Sequence, residues 1–251
     1  MLEMCVNQGD GLQCIGLQGA PRVIAMASHG NQQGELPLLW SLCSTLVDLG
    51  YPVAVLDATT CETPDNPGLE QLLDDACWRN DESAESLSWA VIPAAMGLQR
   101  LSVQTPECAF PLDPLSGLFQ NFGVIFIYAR ADVVSHLLAN SGIEPLLTVA
   151  PVKMSSVTAY KALKQLLLGA QLRPTIASIV GAPIPNSAMA SHSLVKNLQE
   201  CAMTFLDYRP DSLTVRVPQP QERPSDDIHR LALRLLENAM PLHRSHFVGS
   251  H

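Results

Sequence analysis

No lysine occurs in this sequence before Lys153. Any chemistry in the first half that needs a cation must use an arginine, and only Arg22, Arg79, Arg100 and Arg130 precede that lysine. Charged side chains make up 16% of the 251 residues and aromatic ones 5%, against 47% hydrophobic. That balance excludes a solvated, disordered chain and favours a well-filled core. No stretch approaches the roughly 18 uninterrupted apolar residues of a membrane span. The start, Met1-Leu2-Glu3-Met4, lacks the basic segment and apolar run of a secretory signal. The expectation is a soluble, cytoplasmic protein. Its formal net charge is -9, and no Lys/Arg run offsets it. A broad acidic surface repels phosphate backbones, so nucleic acid is not an expected partner.

Paired cysteines are also missing. Cys5, Cys14, Cys43, Cys61, Cys77, Cys108 and Cys201 are odd in number and scattered, and none form a CxxC pair. They read as free thiols in a reducing compartment, with no zinc site. Internal repeats and low-complexity segments are absent. There is no GxGxxG after the first strand, which argues against a dehydrogenase, and no GxSxG elbow.

What the sequence does contain is clearest from Arg22 to Thr59. Val23-Ile24-Ala25-Met26-Ala27 suits a buried strand. Ser28 to Gly34 is a polar, Gly-containing loop. Leu36 to Leu49 reads as a helix with Leu38, Leu39, Leu42, Leu46 and Leu49 on one face, Pro37 in its first turn and Gly50 at its stop. Val53 to Asp57 is a second strand ending in an acid. Strand, loop, helix, strand is a βαβ unit, whose two strands are parallel.

Further on, helices are expected from about Leu69 to Trp78, over Leu115–Phe122, Ala131–Asn140, Ser156–Leu168 with Ser155 as cap, Ser187–Leu206 and Asp226–Met240. Strands are expected at Gly97–Val103, Gly123–Tyr128, Pro145–Ala150, Thr175–Val180 and Leu213–Val217. The Pro-rich piece Pro218 to Pro224 is a connector. This alternation predicts an α/β fold, a doubly wound, mostly parallel sheet flanked by helices. The domain reading is an extension over 1–21, one α/β domain over 22–241 and a flexible tail over 242–251.

A strand, a Gly loop and a helix N-terminus form a natural anion site, because backbone N–H groups converge there. The segment Ser28-His29-Gly30-Asn31-Gln32-Gln33-Gly34-Glu35-Leu36 resembles the deviant Walker A loop, K-G-G-x-G-K-[TS], of the MinD/ParA (SIMIBI) P-loop ATPase family. Gly34 matches its last glycine. Gly30 stands at the signature lysine, Asn31 and Gln32 replace two glycines, Glu35 replaces the phosphate-binding lysine and Leu36 the magnesium hydroxyl. Asp57 matches the acid that ends the family's second strand, with Thr59 where a second acid is common. Tyr128 stands at the Walker B acid, and Gly181 where an asparagine contacts the base. The likeness runs in order and spacing over roughly residues 22–240, near the FlhG, BcsQ and TadZ-like branch.

The resemblance implies a P-loop NTPase fold from which the charges that hold magnesium nucleotide have been lost. The expected function is a bacterial pseudo-ATPase that uses no cofactor or metal and is not an enzyme. It would bind protein partners, such as an active paralogue or a secretion or motility component, as a homo- or heterodimer, and touch membranes only peripherally. Ser28 to Leu36 would be a vestigial nucleotide loop, and Asp57 and Tyr128 vestigial switch positions. A carboxylate at Glu35 aimed at a triphosphate repels it. Two alternatives stand beside this: a weak ATPase in which arginines replace lysines, and a small-molecule sensor using the vestigial cleft.

Blander readings accompany several residues. Asp57 can serve as a loop cap. His29 reads as a solvated turn residue, and Ser28 and His29, being neighbours, do not make a nucleophile–base pair. The pair Asp74-Asp75 reads as a solvated helix face. In the last helix, Ile228, Leu231, Leu235, Leu236 and Ala239 form an apolar stripe. The opposite face carries both signs of charge, so the helix is expected to pack on the sheet, not on a membrane.

Overall fold

The computed structural model describes residues 20–30, 32–74, 88–104, 110–150, 154–180, 187–217 and 225–242. Its strands are β1 (Arg22–Ser28), β2 (Val53–Asp57), β3 (Trp89–Pro93), β4 (Val124–Arg130), β5 (Leu146–Val149), β6 (Thr175–Val180), β7 (Ser212–Arg216) and β8 (Met240–Pro241). Its helices are α1 (Gln32–Asp48), α2 (Leu69–Asp74), α3 (Ala95–Gln104), α4 (Leu115–Leu118), α5 (Ala131–Leu138), α6 (Ser155–Ala170), α7 (Ser187–Leu206) and α8 (Asp226–Glu237).

The sheet runs β3-β2-β4-β1-β5-β6-β7 with every neighbouring pair parallel. The βαβ unit read from the sequence is present, but its two strands are not neighbours, because β4 lies between β1 and β2. The short β8 is antiparallel and pairs Arg22 with Pro241 and Val23 with Met240. Leu242, given to the tail by the sequence reading, is buried, and its N–H donates to the Pro21 carbonyl at 2.9 Å.

Alternation along the central strands separates two cores. In β1, Val23, Ala25 and Ala27 face one way, with Leu98 of α3, Val134 of α5 and Leu163 of α6. Ile24 and Met26 face the other, with Leu38, Leu39, Leu42 and Leu46 of α1 and Ile228, Leu231 and Leu235 of α8. Both faces of the sheet are covered, which is why its strands read as continuous apolar runs. The α8 stripe packs on the sheet and on α1, as expected. Among the described residues no helix is long and apolar enough to cross a membrane.

Local expectations fail in four places. Gly97 to Val103 is not a strand but part of α3, whose Leu98 and Leu101, three apart, are buried. The strand of that region is β3, one turn earlier, with Trp89 and Val91 exposed at the sheet edge. The helix expected over Leu115–Phe122 is the single turn α4. Ser155 is the first residue of α6 and not its cap; its hydroxyl accepts from the Ala150 N–H at 3.1 Å, and Met154 holds the cap position with φ of 76°. Finally, α1 begins at Gln32, so Gly34 and Glu35 belong to the helix and Pro37 lies inside it. The expected helix after Leu69 is described to Asp74; its remaining residues lie outside the described ones.

Candidate functional site

In an open parallel sheet, ligands bind beyond the carboxyl ends of the strands, where the order reverses. Here β1 ends at Ser28 between β4 and β5, and the chain turns through His29 and Gly30 into α1. Gly30 has φ of 92°, a backbone conformation that an L side chain adopts only with strain. Asn31 and the Gln33 side chain lie outside the described residues, while Gln32 is exposed and Leu36 half-buried against the α1 core.

Glu35 does not point at the loop's outer surface. Its carboxylate is fully buried beneath it. Oε2 accepts from the Tyr128 hydroxyl at 2.6 Å and from the Ser28 hydroxyl at 2.8 Å, while Oε1 accepts from the His29 N–H at 3.1 Å. An isolated buried carboxylate is very costly, but three donors, each charge-assisted, offset that cost. The sequence expectation of an outward negative charge is therefore corrected: the charge is drawn inward and saturated.

Tyr128 is the other half of this arrangement. Parallel pairing sets it beside Met26 of β1 and Asp57 of β2, and its side chain is fully buried. Burial, and then the hydrogen bond to Glu35, push the phenol well above the ordinary tyrosine value. Positions that the sequence treats as two separate losses are joined by one short hydrogen bond.

His29 also departs from expectation. Its backbone is exposed in the turn, but its side chain is only 2% exposed. Nε2 lies 2.8 Å from the Thr148 carbonyl of β5, an acceptor, so Nε2 carries the proton and donates. Nδ1 lies 2.9 Å from the Thr158 hydroxyl of α6, and Nε2 is 3.4 Å from Glu35 Oε1. The ring is a strut between the loop, β5 and α6, not a solvated turn residue.

Asp57 closes the turn after β2. Oδ1 accepts from the Thr59 N–H at 2.9 Å and the Thr59 hydroxyl at 2.6 Å, and Oδ2 from the Thr60 hydroxyl at 2.7 Å. This is the loop-capping geometry weighed from the sequence. Further along, Glu62 is buried and caps α3, accepting from the N–H groups of Met96 and Gly97, each at 2.8 Å. Asp74 is exposed and pairs with Arg100; Asp75 lies outside the described residues. Among the described residues no three His, Cys, Asp or Glu side chains group as a metal site.

Above the network is an open cleft of about 520 Å³. Its lining comes from the loop (Ser28, His29, Gly30, Gln32), the β2 turn (Ala58, Thr59), the β4–α5 junction (Arg130, Ala131, Asp132) and α6 (Thr158, Lys161, Ala162, Gln165). Of the four early arginines, Arg130 reaches this cleft, where it makes two hydrogen bonds to Asp132, at 3.1 and 2.9 Å. Arg22 bonds the Leu236 carbonyl, Arg100 is paired with Asp74, and Arg79 lies outside the described residues. Sequence reasoning missed Thr148, Thr158 and Lys161. A signal was present in α6: Thr158, Lys161 and Gln165 recur at three- and four-residue spacing on one face of the helix.

The sequence matches no protein-family model and no curated protein. Solved structures do match. The MinD chain of the MinC:MinD cell division complex of Aquifex aeolicus aligns with a TM-score of 0.53 and 18% identity, over 89% of this chain and 99% of that one. The ParA family ATPase of Chlorobium tepidum aligns with a TM-score of 0.50 and 15% identity, over 85% and 98%. The cobyrinic acid a,c-diamide synthase of Mycobacterium smegmatis, solved with ADP and magnesium, aligns with a TM-score of 0.55 and 14% identity, over 89% and 99%. At these identities the likeness is one of fold. With its parallel sheet, flanking helices and loop after β1, this chain has the fold of the MinD/ParA-type P-loop ATPases.

Proposed function

We propose that this protein is a non-catalytic pseudo-ATPase that works by binding protein partners, as a regulator or scaffold in positioning or assembling a bacterial surface or secretion machine. The observation that carries this reading is the buried hydrogen bond between Glu35 and Tyr128. In the resemblance these two positions would hold a lysine for phosphate and an acid for magnesium. Here they satisfy one another, and Leu36 offers no hydroxyl to a metal. The side chains present fit magnesium triphosphate poorly.

A nucleotide switch changes partner affinity because the nucleotide binds its two states unequally. A chain that ties its own loop to β4, β5 and α6 sits in one state without a ligand. It would act as a constitutive dimer, or as a monomer paired with an active paralogue. One relative of the same fold, the Aquifex aeolicus MinD chain, is solved with the protein MinC, which is in keeping with a partner-binding role.

The test is titration calorimetry with ATP and magnesium, alongside phosphate release. No binding heat and no turnover are expected, for the wild type and for Glu35→Lys alike, since Tyr128 and Leu36 still provide no metal ligand in that variant. Tight metal-dependent ATP binding by the wild type, or turnover in the single variant, overturns the reading. A second reading, a weak ATPase using arginine in place of lysine, draws on Arg130 at the cleft. It requires phosphate release that is lost on Asp57→Ala.

A further inference from the structure

We propose that the cleft between the β4–α5 junction and α6 binds a small oxyanion-bearing metabolite, its phosphate or carboxylate group held by Lys161. The inference goes beyond the pseudo-ATPase reading and does not depend on it. It concerns the α6 wall of the cleft, which faces the loop after β1.

Three observations carry it. The first is shape: about 520 Å³ is the size of a small-molecule site. The second is charge. The charged side chains lining the cleft are Arg130, Asp132 and Lys161. Arg130 and Asp132 neutralise one another through two hydrogen bonds. Lys161 is exposed and has no ion-pair partner among the described residues. Among the described lining residues Lys161 is therefore the one charge without a partner. An unpaired cation at the wall of a cleft offers an oxyanion a charge-assisted hydrogen bond.

The third observation is the withdrawal of Glu35. Its carboxylate, the group that would repel an anion, is buried below the loop and already accepts three hydrogen bonds. Neutral hydrogen-bonding side chains, Thr59 and Gln165 among them, complete the lining. That combination of one unpaired cation, among the described residues, with neutral polar groups suits one phosphate or one or two carboxylates. It does not suit a polyphosphate, whose several charges would need several cations.

The experiment is titration of the full chain with inorganic phosphate, acetate and succinate in magnesium-free, weakly buffered solution, followed by calorimetry and thermal shift. At least one anion is expected to bind saturably at one site and to raise the melting temperature. Lys161→Met is expected to raise its Kd about tenfold, the loss of one charge-assisted contact, and Lys161→Arg to retain binding. Lys164→Met is the control, since Lys164 is also exposed on the same helix but is not among the residues that line the cleft. No saturable binding by any of the three anions overturns the proposal. So does an equal loss in Lys161→Met and Lys164→Met, which marks diffuse surface attraction. Binding of magnesium ATP would sink the pseudo-ATPase reading but leaves this comparison of the two lysines intact.

Discussion

At the scale of single residues, the molecule turns on a carboxylate that points inward. Glu35 was legible as a departure from a phosphate-binding loop, because a lysine position without a lysine is visible in the letters. Its orientation was not. Nothing local in a polar loop distinguishes an outward carboxylate from a buried one; the donors that decide it, Ser28, the His29 N–H and Tyr128, come from the ends of two strands brought together by the sheet. His29 was misread for the same reason, since its partners Thr148 and Thr158 are more than a hundred residues away. Removing one donor tests the network. Tyr128→Phe keeps the ring and deletes the hydroxyl, leaving Glu35 short of a donor in a dry site. The expected loss is about 1–3 kcal/mol, read from urea unfolding, and a change within error would show that the bond contributes nothing.

A second residue-scale expectation concerns alkaline pH. Burial pushes the Cys43 thiol from 9.0 up to about 12, and the Tyr128 phenol is raised as well. Both neutral forms are held in the native state, while the unfolded chain ionises at ordinary values. The stabilisation is complete below about pH 9 and is lost as pH climbs from there through about 12, because the unfolded state gives up protons the native state keeps. Urea midpoints at pH 8 and pH 10.5 should differ, with the higher pH less stable; equal midpoints would contradict the burial argument.

At the scale of elements, strong periodicity was readable and weak periodicity was not. The buried strands β1, β2, β4, β5 and β6 declared themselves as apolar runs, and α7 and α8 by length and spacing. The edge strand β3 did not, because only part of it is covered: Trp89 and Val91 remain exposed. Its neighbour α3, where a strand is expected at Gly97–Val103, carries a glycine near its start, which weakens the helical signal. The glycine has a packing reason. A Cβ there would lie 2.6 Å from Leu69 Cγ and 2.8 Å from the Glu70 nitrogen, so α3 can lie against α2 only without a side chain. Helix propensity favours alanine over glycine by about 1 kcal/mol, but overpacking costs about 1–3 kcal/mol, so the clash wins. Gly97→Ala should lower stability. Gly169 in α6 faces open space, and there the same change should add up to about 1 kcal/mol. Thermal melts of the two variants should move in opposite directions; shifts of the same sign would refute the packing account.

At the scale of the whole molecule, the alternation of strands and helices was enough to predict a doubly wound sheet, because both faces must be covered and right-handed crossovers are the rule. Strand order was not recoverable, since the insertion of β4 between β1 and β2 depends on contacts no local pattern encodes. The antiparallel β8 was missed as well, being two residues long. Its position nevertheless has a practical consequence. With Leu242 bonded to Pro21 and Pro241 paired with Arg22, two segments more than two hundred residues apart lie side by side, at the pole of the sheet opposite the cleft. Segments so placed hold the first strand of the sheet to the residues after its last helix, so a cut between them would leave the rest of the sheet's pairing intact.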